Sequence, residues 1–274
     1  MERIKTRVLP AILRDLRTQF ACPTEGYTSK FITGYWAKQS FPLVKAVVDR
    51  LDVQPAHAVL EIGYGCGHGL EIAHKRIGSG SGYVVGIEAS SFMDSLAQKK
   101  FILEISEQGN LYLDQIPNLA HLPYPNNTFD SIYHVDVFYF WDGRLLPRVV
   151  PEFLRILKPG GRLLCGMEMK RLKTIESQGI LTAPQYDPLR YTESLEPSGF
   201  TDVKIDYAEI APSREGVFIS GLKPNIDPDS EDPEVKMREL EQRIKAELAL
   251  ESLVSSKREM SAEMKQKLSD SMPL

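Results

Sequence analysis

Glu61 stands two residues before a loop with glycine at every second position: Gly63, Gly65 and Gly67. An apolar run at residues 59–62 leads into that loop, and a helix-compatible stretch at 68–77 follows it. Strand, tight turn and helix N-terminus in that order let a backbone come very close to a nucleotide-like ligand. A second apolar run, residues 83–87, ends in Glu88, 25 residues beyond Gly63. A carboxylate at that strand end can accept two hydrogen bonds from the vicinal hydroxyls of a ribose, and its charge strengthens both. A third run, residues 130–135, carries His134 and is followed by Asp136, two side chains able to take a proton.

The glycine spacing separates two ligand classes. A dinucleotide fingerprint needs Gly-x-Gly-x-x-Gly. Counted from Gly63 the sixth position is His68, and from Gly65 it is Leu70, so a pyrophosphate-hugging turn is poorly supported. The acid followed by Gly-x-Gly-x-Gly resembles the first motif of class I S-adenosylmethionine-dependent methyltransferases, of the methyltransferase type 11-like kind. Three further segments match that family in order. Residues 83–88 end in the ribose-binding acid. Residues 118–124, Asn-Leu-Ala-His-Leu-Pro-Tyr, precede Phe129-Asp130 as the family's adenine-reading segment does. Residues 153–164 carry Lys158-Pro159-Gly160-Gly161 between a helix and a strand.

The resemblance implies S-adenosylmethionine as cofactor and assigns roles residue by residue. Gly63, Gly65 and Gly67 bend under its amino-acid end, Glu61 lies near its amino group, and Glu88 meets the ribose. Asn118 and Leu119 take the positions that read the adenine edge. An aspartate is usual where Asn118 stands, and an amide can still donate and accept there. Tyr64, Ala89 and His134 complete the expected cofactor-binding set.

The elements that must position these groups alternate. Strands are expected at 58–63, 83–88, 110–114, 130–135 and 161–167, and helices at 67–77, 91–107, 144–157 and 191–198. Two final strands, 202–208 and 215–221, have no helix between them. Alternation demands a mostly parallel sheet covered on both faces, and the last pair should close it as an antiparallel hairpin. The expected fold is therefore α/β, a Rossmann-like seven-stranded methyltransferase sheet with helices on both faces. Residues 1–52 read as an N-terminal helical cap or lid, 53–222 as the cofactor-binding domain, and 223–274 as an acidic linker and charged helical tail. In the cap, Ile4, Val8, Ile12 and Leu16 share one helical face opposite a basic one, and an aromatic segment runs from Pro23 to Trp36. In the tail, Met237, Leu240, Ile244 and Leu248 form a stripe suited to a partner or to self-association, or simply a solvated helix.

Composition narrows the rest. A chain of 274 residues with 42% apolar side chains can bury a full α/β core. A net charge of −4 supplies no field for nucleic acid. No apolar stretch is long enough to span a membrane. The three cysteines, Cys22, Cys66 and Cys165, lack disulfide or metal-ligand spacing and fit a reducing, cytoplasmic setting. A mitochondrial transit peptide is the alternative, opposed by Glu2 and Asp15 and by the lack of serine before Cys22.

Open α/β sheets bind ligands beyond the carboxyl ends of their strands, which places residues 134–141 beside the reacting centre. His134 is then a base or a hydrogen-bonder to the cofactor, Asp136 the second candidate base, and Tyr139, Phe140 and Trp141 pocket wall. No Asn-Pro-Pro-Tyr sequence follows the fourth strand, and no cysteine stands where a covalent pyrimidine methylase needs one. A small-molecule methyl acceptor is expected, with a protein side chain as the lesser alternative. Two other readings stay open: a cofactor-binding, non-catalytic module acting through its C-terminal helix, and a nicotinamide oxidoreductase.

Overall fold

The computed structural model describes residues 14–26 and 29–225, together with four helical positions of the tail, Met237, Leu240, Glu241 and Ile244. Seven strands form one sheet in the order β3-β2-β1-β4-β5-β7-β6. They are β1 (Ala58–Ile62), β2 (Tyr83–Glu88), β3 (Leu111–Gln115), β4 (Phe129–Val135), β5 (Leu157–Met167), β6 (Thr201–Ala211) and β7 (Arg214–Leu222). The first five run parallel, and β7 inserts antiparallel between β5 and β6. The expected fold is the observed one. β1 is buried along its whole length, as a strand sandwiched between helical layers must be.

The helices are α1 (residues 14–21), α2 (Ser29–Leu51), α3 (His68–Ile77), α4 (Ser91–Lys100), α5 (Leu146–Ile156), α6 (Met169–Ser177) and α7 (Pro188–Leu195). Two apolar layers result. Leu43, Val47 and Val48 of α2, with Leu70 and Ala73 of α3 and Ala97 of α4, cover one face of the sheet. Val149, Val150 and Phe153 of α5, Leu172 and Ile175 of α6, and Tyr191 and Leu195 of α7 cover the other.

Several boundaries differ from the sequence expectation for identifiable reasons. The sequence pattern suggests a helix at 41–51; α2 begins twelve residues earlier, at Ser29, and runs through Pro42. Proline forgoes one helical hydrogen bond there, and burial of Leu43, Val44, Val47, Val48 and Leu51 behind it offsets the loss. α4 stops at Lys100 and is continued by a wider π-type turn, Glu104–Gln108, which Gly109 ends. The Lys-Pro-Gly-Gly corner is a register shift inside the pairing of β4 with β5 rather than a loop ahead of the strand. α6 was not expected at all, since only Leu172 and Ile175 of it are buried.

Of the cap stripe, Ile4, Val8 and Ile12 lie outside the described residues, as does Tyr27. Leu16 and Phe20 of α1 pack on the core. The tail positions Met237, Leu240 and Ile244 are helical and exposed. Among the described residues, no helix is long and apolar enough to cross a membrane.

Candidate active site

The carboxyl ends of β1, β2 and β4 open into a cavity of about 310 Å³, roofed by α1 and the first half of α2. Glu61, Gly63, Tyr64, Gly65, Glu88, Ala89, Leu119 and Asp136 all line it. Eight separated sequence positions thus converge on one hollow at the point where strand order reverses between β1 and β4, the usual ligand crevice of an open α/β sheet.

Glu61 is buried within β1, and its carboxylate lies against the first turn of α3. That closeness depends on Gly69, because a Cβ there would come within 2.3 Å of Glu61 Oε1. Tyr133 of β4 donates its hydroxyl to Glu61 Oε2 at 2.9 Å, and the Leu70 amide supplies a second hydrogen bond. Burial outweighs these donors and raises the carboxyl to about 8, with Glu88 adding repulsion and Lys100 relieving part of it. Glu61 is therefore largely protonated at neutral pH. The folded protein holds that proton more tightly than the unfolded chain, so the associated stability is complete below pH 4.5 and is lost as pH rises through about 8. Glu61→Gln should flatten the loss between those limits; denaturant titrations across pH 5–8 that keep the wild-type slope would refute the assignment.

The glycine loop has positive φ at Gly63, Gly65 and Gly67. Gly63 passes against Val137 and Gly67 against Phe101, whereas the space beside Gly65 is open. The Gly65 amide donates to Glu88 Oε2 at 3.0 Å, and the Ser90 amide to Glu88 Oε1 at 3.0 Å. Glu88 thus ties the loop to the end of β2 while its carboxylate faces the cavity wall. Burial pushes its carboxyl up, against the pull of the Ser90, Gly65 and Ala89 amides. Tyr64 fixes the far side of the loop by donating to Asp94 Oδ1 at 2.7 Å.

Three of the expected site residues behave otherwise. Asn118 is exposed and closes its own turn, Oδ1 accepting from the Ala120 amide at 3.1 Å; its neighbours Pro117 and Leu119 line the cavity in its place. Gly67 turns the loop into α3 and is not itself part of the lining. His134 is fully buried and is not among the lining residues. Its Nε2 pairs with the Tyr191 hydroxyl at 2.6 Å, its ring packs on Trp141, Phe153 and Tyr191, and burial drops its pKa to about 3. It is a neutral, packed imidazole on the α7 side of the sheet. Of the expected pocket wall, Phe140 and Trp141 line the cavity, and Tyr139 is buried behind it.

Asp136 does reach the cavity, at the end of β4, with φ of 60° held by its amide bonding to the Gly166 carbonyl at 3.1 Å. Its Oδ2 accepts from Ser40 Oγ at 2.8 Å and from Arg171 of α6. Ser40, Arg171, Phe20 and His68 line the same cavity and were missed from sequence, and Trp36 of the expected lid lines it with them. Only the family's habit of an N-terminal lid pointed toward Trp36. Nothing in residue spacing announces Arg171 or Ser40. His68 opens α3, and burial with the Lys100 charge lowers its pKa against the pull of Glu71.

An open space beside a left-handed glycine, flanked by two buried carboxyls at adjacent strand ends, suits a cationic nucleoside cofactor better than a pyrophosphate. The fold is thus an open α/β sheet with its crevice at the β1–β4 reversal. Residues 60–165 match the model of the methyltransferase domain. Phosphoethanolamine N-methyltransferase 1 of Arabidopsis thaliana is 28% identical over 207 residues, covering 73% of this chain and 39% of that protein. Demethylmenaquinone methyltransferase of Symbiobacterium thermophilum is 27% identical over 156 residues, 56% of this chain and 57% of that one. An S-adenosylmethionine-dependent methyltransferase structure from Aquifex aeolicus superposes with a TM-score of 0.53 at 18% identity, covering 70% of this chain and 98% of its own. Residues 60–165 thus carry a methyltransferase domain, and the chain spans less than two thirds of the length of these two relatives.

Proposed function

We propose that this chain transfers a methyl group from S-adenosylmethionine to a small-molecule acceptor with a largely apolar body. The observation that carries the reading is the clamp of Glu88 on the Gly65 amide beside an open, left-handed glycine, all within one cavity that also holds Glu61. Residues 53–222 form the catalytic domain in this reading, 1–52 its cap, and 223–274 a tail outside the chemistry.

Glu61 faces the amino-acid end of the cofactor, Gly63, Gly65 and Gly67 bend beneath it, and Glu88 accepts from the ribose hydroxyls. Tyr64, Ala89 and Leu119 flank the nucleoside. S-adenosylmethionine supplies a methyl group already activated on a sulfonium, so the protein chiefly aligns the acceptor and excludes water. Phe20 and Trp36 of the cap, whose rings meet edge-on at 4.8 Å, shield the cavity from solvent. Asp136 is the group positioned to orient an acceptor or take its proton. His134 contributes through packing with Tyr191. The two relatives named above take, by name, a phosphorylated amine and a quinone precursor, so the acceptor is argued from the cavity itself.

Titrating the full chain with S-adenosylmethionine and S-adenosylhomocysteine tests this reading directly. Micromolar binding of both is expected. Binding the amino group's positive charge next to a largely protonated Glu61 should expel a proton near pH 7, seen as a binding heat that depends on buffer ionisation enthalpy. No binding of either compound would sink the proposal. A methyl-acceptor screen with labelled cofactor then supplies the turnover test.

A further inference from the structure

β6 is the outermost strand of the sheet, and among the described residues no strand lies beyond it. It is eleven residues long. From Lys204 to Glu209 it pairs residue for residue with β7, and its register shifts fall at the two ends. The centre of the strand is therefore straight, with one row of backbone amides and carbonyls turned away from β7. Exposed edges are normally blunted by a central bulge, a proline or a covering element, because a bare edge invites another strand. No residue of β6 is buried, and Lys204, Asp206 and Tyr207 are exposed, Tyr207 by 61%. Val203 and Ile205 lean on the α5–α7 layer and Ala208 on the α2 layer. Alternation along the strand thus places Tyr207 on the face of Val203 and Ile205, and Lys204 and Asp206 on the other.

We infer that the occupant of this edge is a second copy of the chain, with β6 pairing antiparallel to β6 about a twofold axis so that two sheets become one. The residues select the register. A twofold axis perpendicular to the sheet keeps every side chain on its own face, so odd positions meet odd ones and even positions even ones. With Ile205 opposite the partner's Ile205, Val203 meets the partner's Tyr207 on one face. Lys204 meets the partner's Asp206 on the other, and symmetry repeats both pairs. From 203 to 207 apolar side chains then face apolar ones and each cation faces an anion, the cross-strand pairs that stabilise a ladder. A slip of two places one way sets Lys204 against the partner's Lys204 and Asp202 against the partner's Asp206. The opposite slip sets Asp206 against the partner's Asp206. Lys204 Nζ lies 2.6 Å from Asp202 Oδ1 of its own strand, a half-exposed pair that a second carboxylate can join. An edge lysine ordinarily repels a foreign strand, and a second copy in this register neutralises it. β3, at the other edge, has five residues with Asp114 as their one charge, so self-pairing there cannot oppose unlike charges.

Sedimentation equilibrium of the full chain over a concentration series tests this, and a reversible dimer is expected. Lys204→Asp and Asp206→Lys each set like charges against each other twice, so either change alone should weaken the dimer by at least about tenfold. The double variant K204D/D206K exchanges the two charges and should restore the wild-type association. Mixing the two single variants should give a heterodimer, since every facing pair is then unlike. All of these side chains are exposed, and circular dichroism checks that each variant keeps its fold. A wild type that stays monomeric overturns the inference whatever the variants do. Single variants that associate like the wild type place any dimer elsewhere, for instance on the tail stripe of Met237, Leu240 and Ile244, and overturn it too. So does a failure of both the double variant and the mixture to associate. None of these outcomes bears on cofactor binding, because the exchanged residues lie outside the cavity lining.

Discussion

Gly65→Val should abolish measurable binding of S-adenosylmethionine, a loss of at least about a hundredfold, while the protein remains folded. Two effects act together. The residue has φ of 51°, a region that a β-branched side chain occupies only under strain. The space into which its Cβ would project is also the open part of the cavity rather than protein. A valine there strains the loop and fills the volume the cofactor needs. Because no protein atom lies within 4 Å of that Cβ, the fold itself loses little packing. Titration calorimetry reads the affinity and far-ultraviolet circular dichroism the fold. Near-normal affinity in a folded variant would show that the ligand lies elsewhere.

Glu88→Ala is the second large effect, expected to weaken the cofactor by about 1.5–3 kcal/mol, or roughly 10- to 150-fold. The carboxylate has two tasks. It would accept from the ribose, and it already holds the amides of Gly65 and Ser90 at 3.0 Å each. Removing it deprives the Gly65, Ser90 and Ala89 amides of their acceptor and loosens the glycine loop. Glu88→Gln separates the tasks. Glutamine keeps the shape but must place an NH₂ against one of those amides, donor facing donor. A loss close to that of alanine is expected, with the larger part in the dissociation rate. If Glu88→Ala binds as tightly as wild type, the ribose assignment fails.

The sheet, and the meeting of Glu61, Gly63, Gly65 and Glu88 around one cavity, were legible from sequence because both rest on local signals. Glycine spacing, a carboxylate closing an apolar run, and strands alternating with helices all act over a few residues. The acceptor half was not legible in that way. Arg171 sits on a helix with two buried positions, and it meets Asp136 only because α6 crosses the carboxyl end of β4. Ser40 reaches the same carboxylate from α2, on the opposite helical layer. No spacing along the chain encodes that meeting.

His134 shows the converse. A histidine at the end of a strand suggested chemistry, but in the central strand β4 nearly every residue is buried on one face or the other, and sequence does not say toward which layer. β4 turns Tyr133 toward Glu61 and His134 toward Tyr191, so the tyrosine became the partner of the buried carboxyl and the histidine a packed residue. α2 escaped detection before residue 41, where few of its residues are buried, and its packing on the sheet lies in the second half, at Leu43, Val44, Val47, Val48 and Leu51.

The division of the cavity between two parts of the chain has an evolutionary corollary. The half of the cavity at Glu61 and Glu88 is built from strand ends and the turns that follow them, which belong to the sheet itself. Phe20 and Trp36, by contrast, stand on helices that contribute no strand, anchored by contacts such as Arg17 Nε to the Gly179 carbonyl at 2.8 Å. Descendants of this chain can therefore drift in what they modify by exchanging roof residues, while the chemistry beneath is inherited intact.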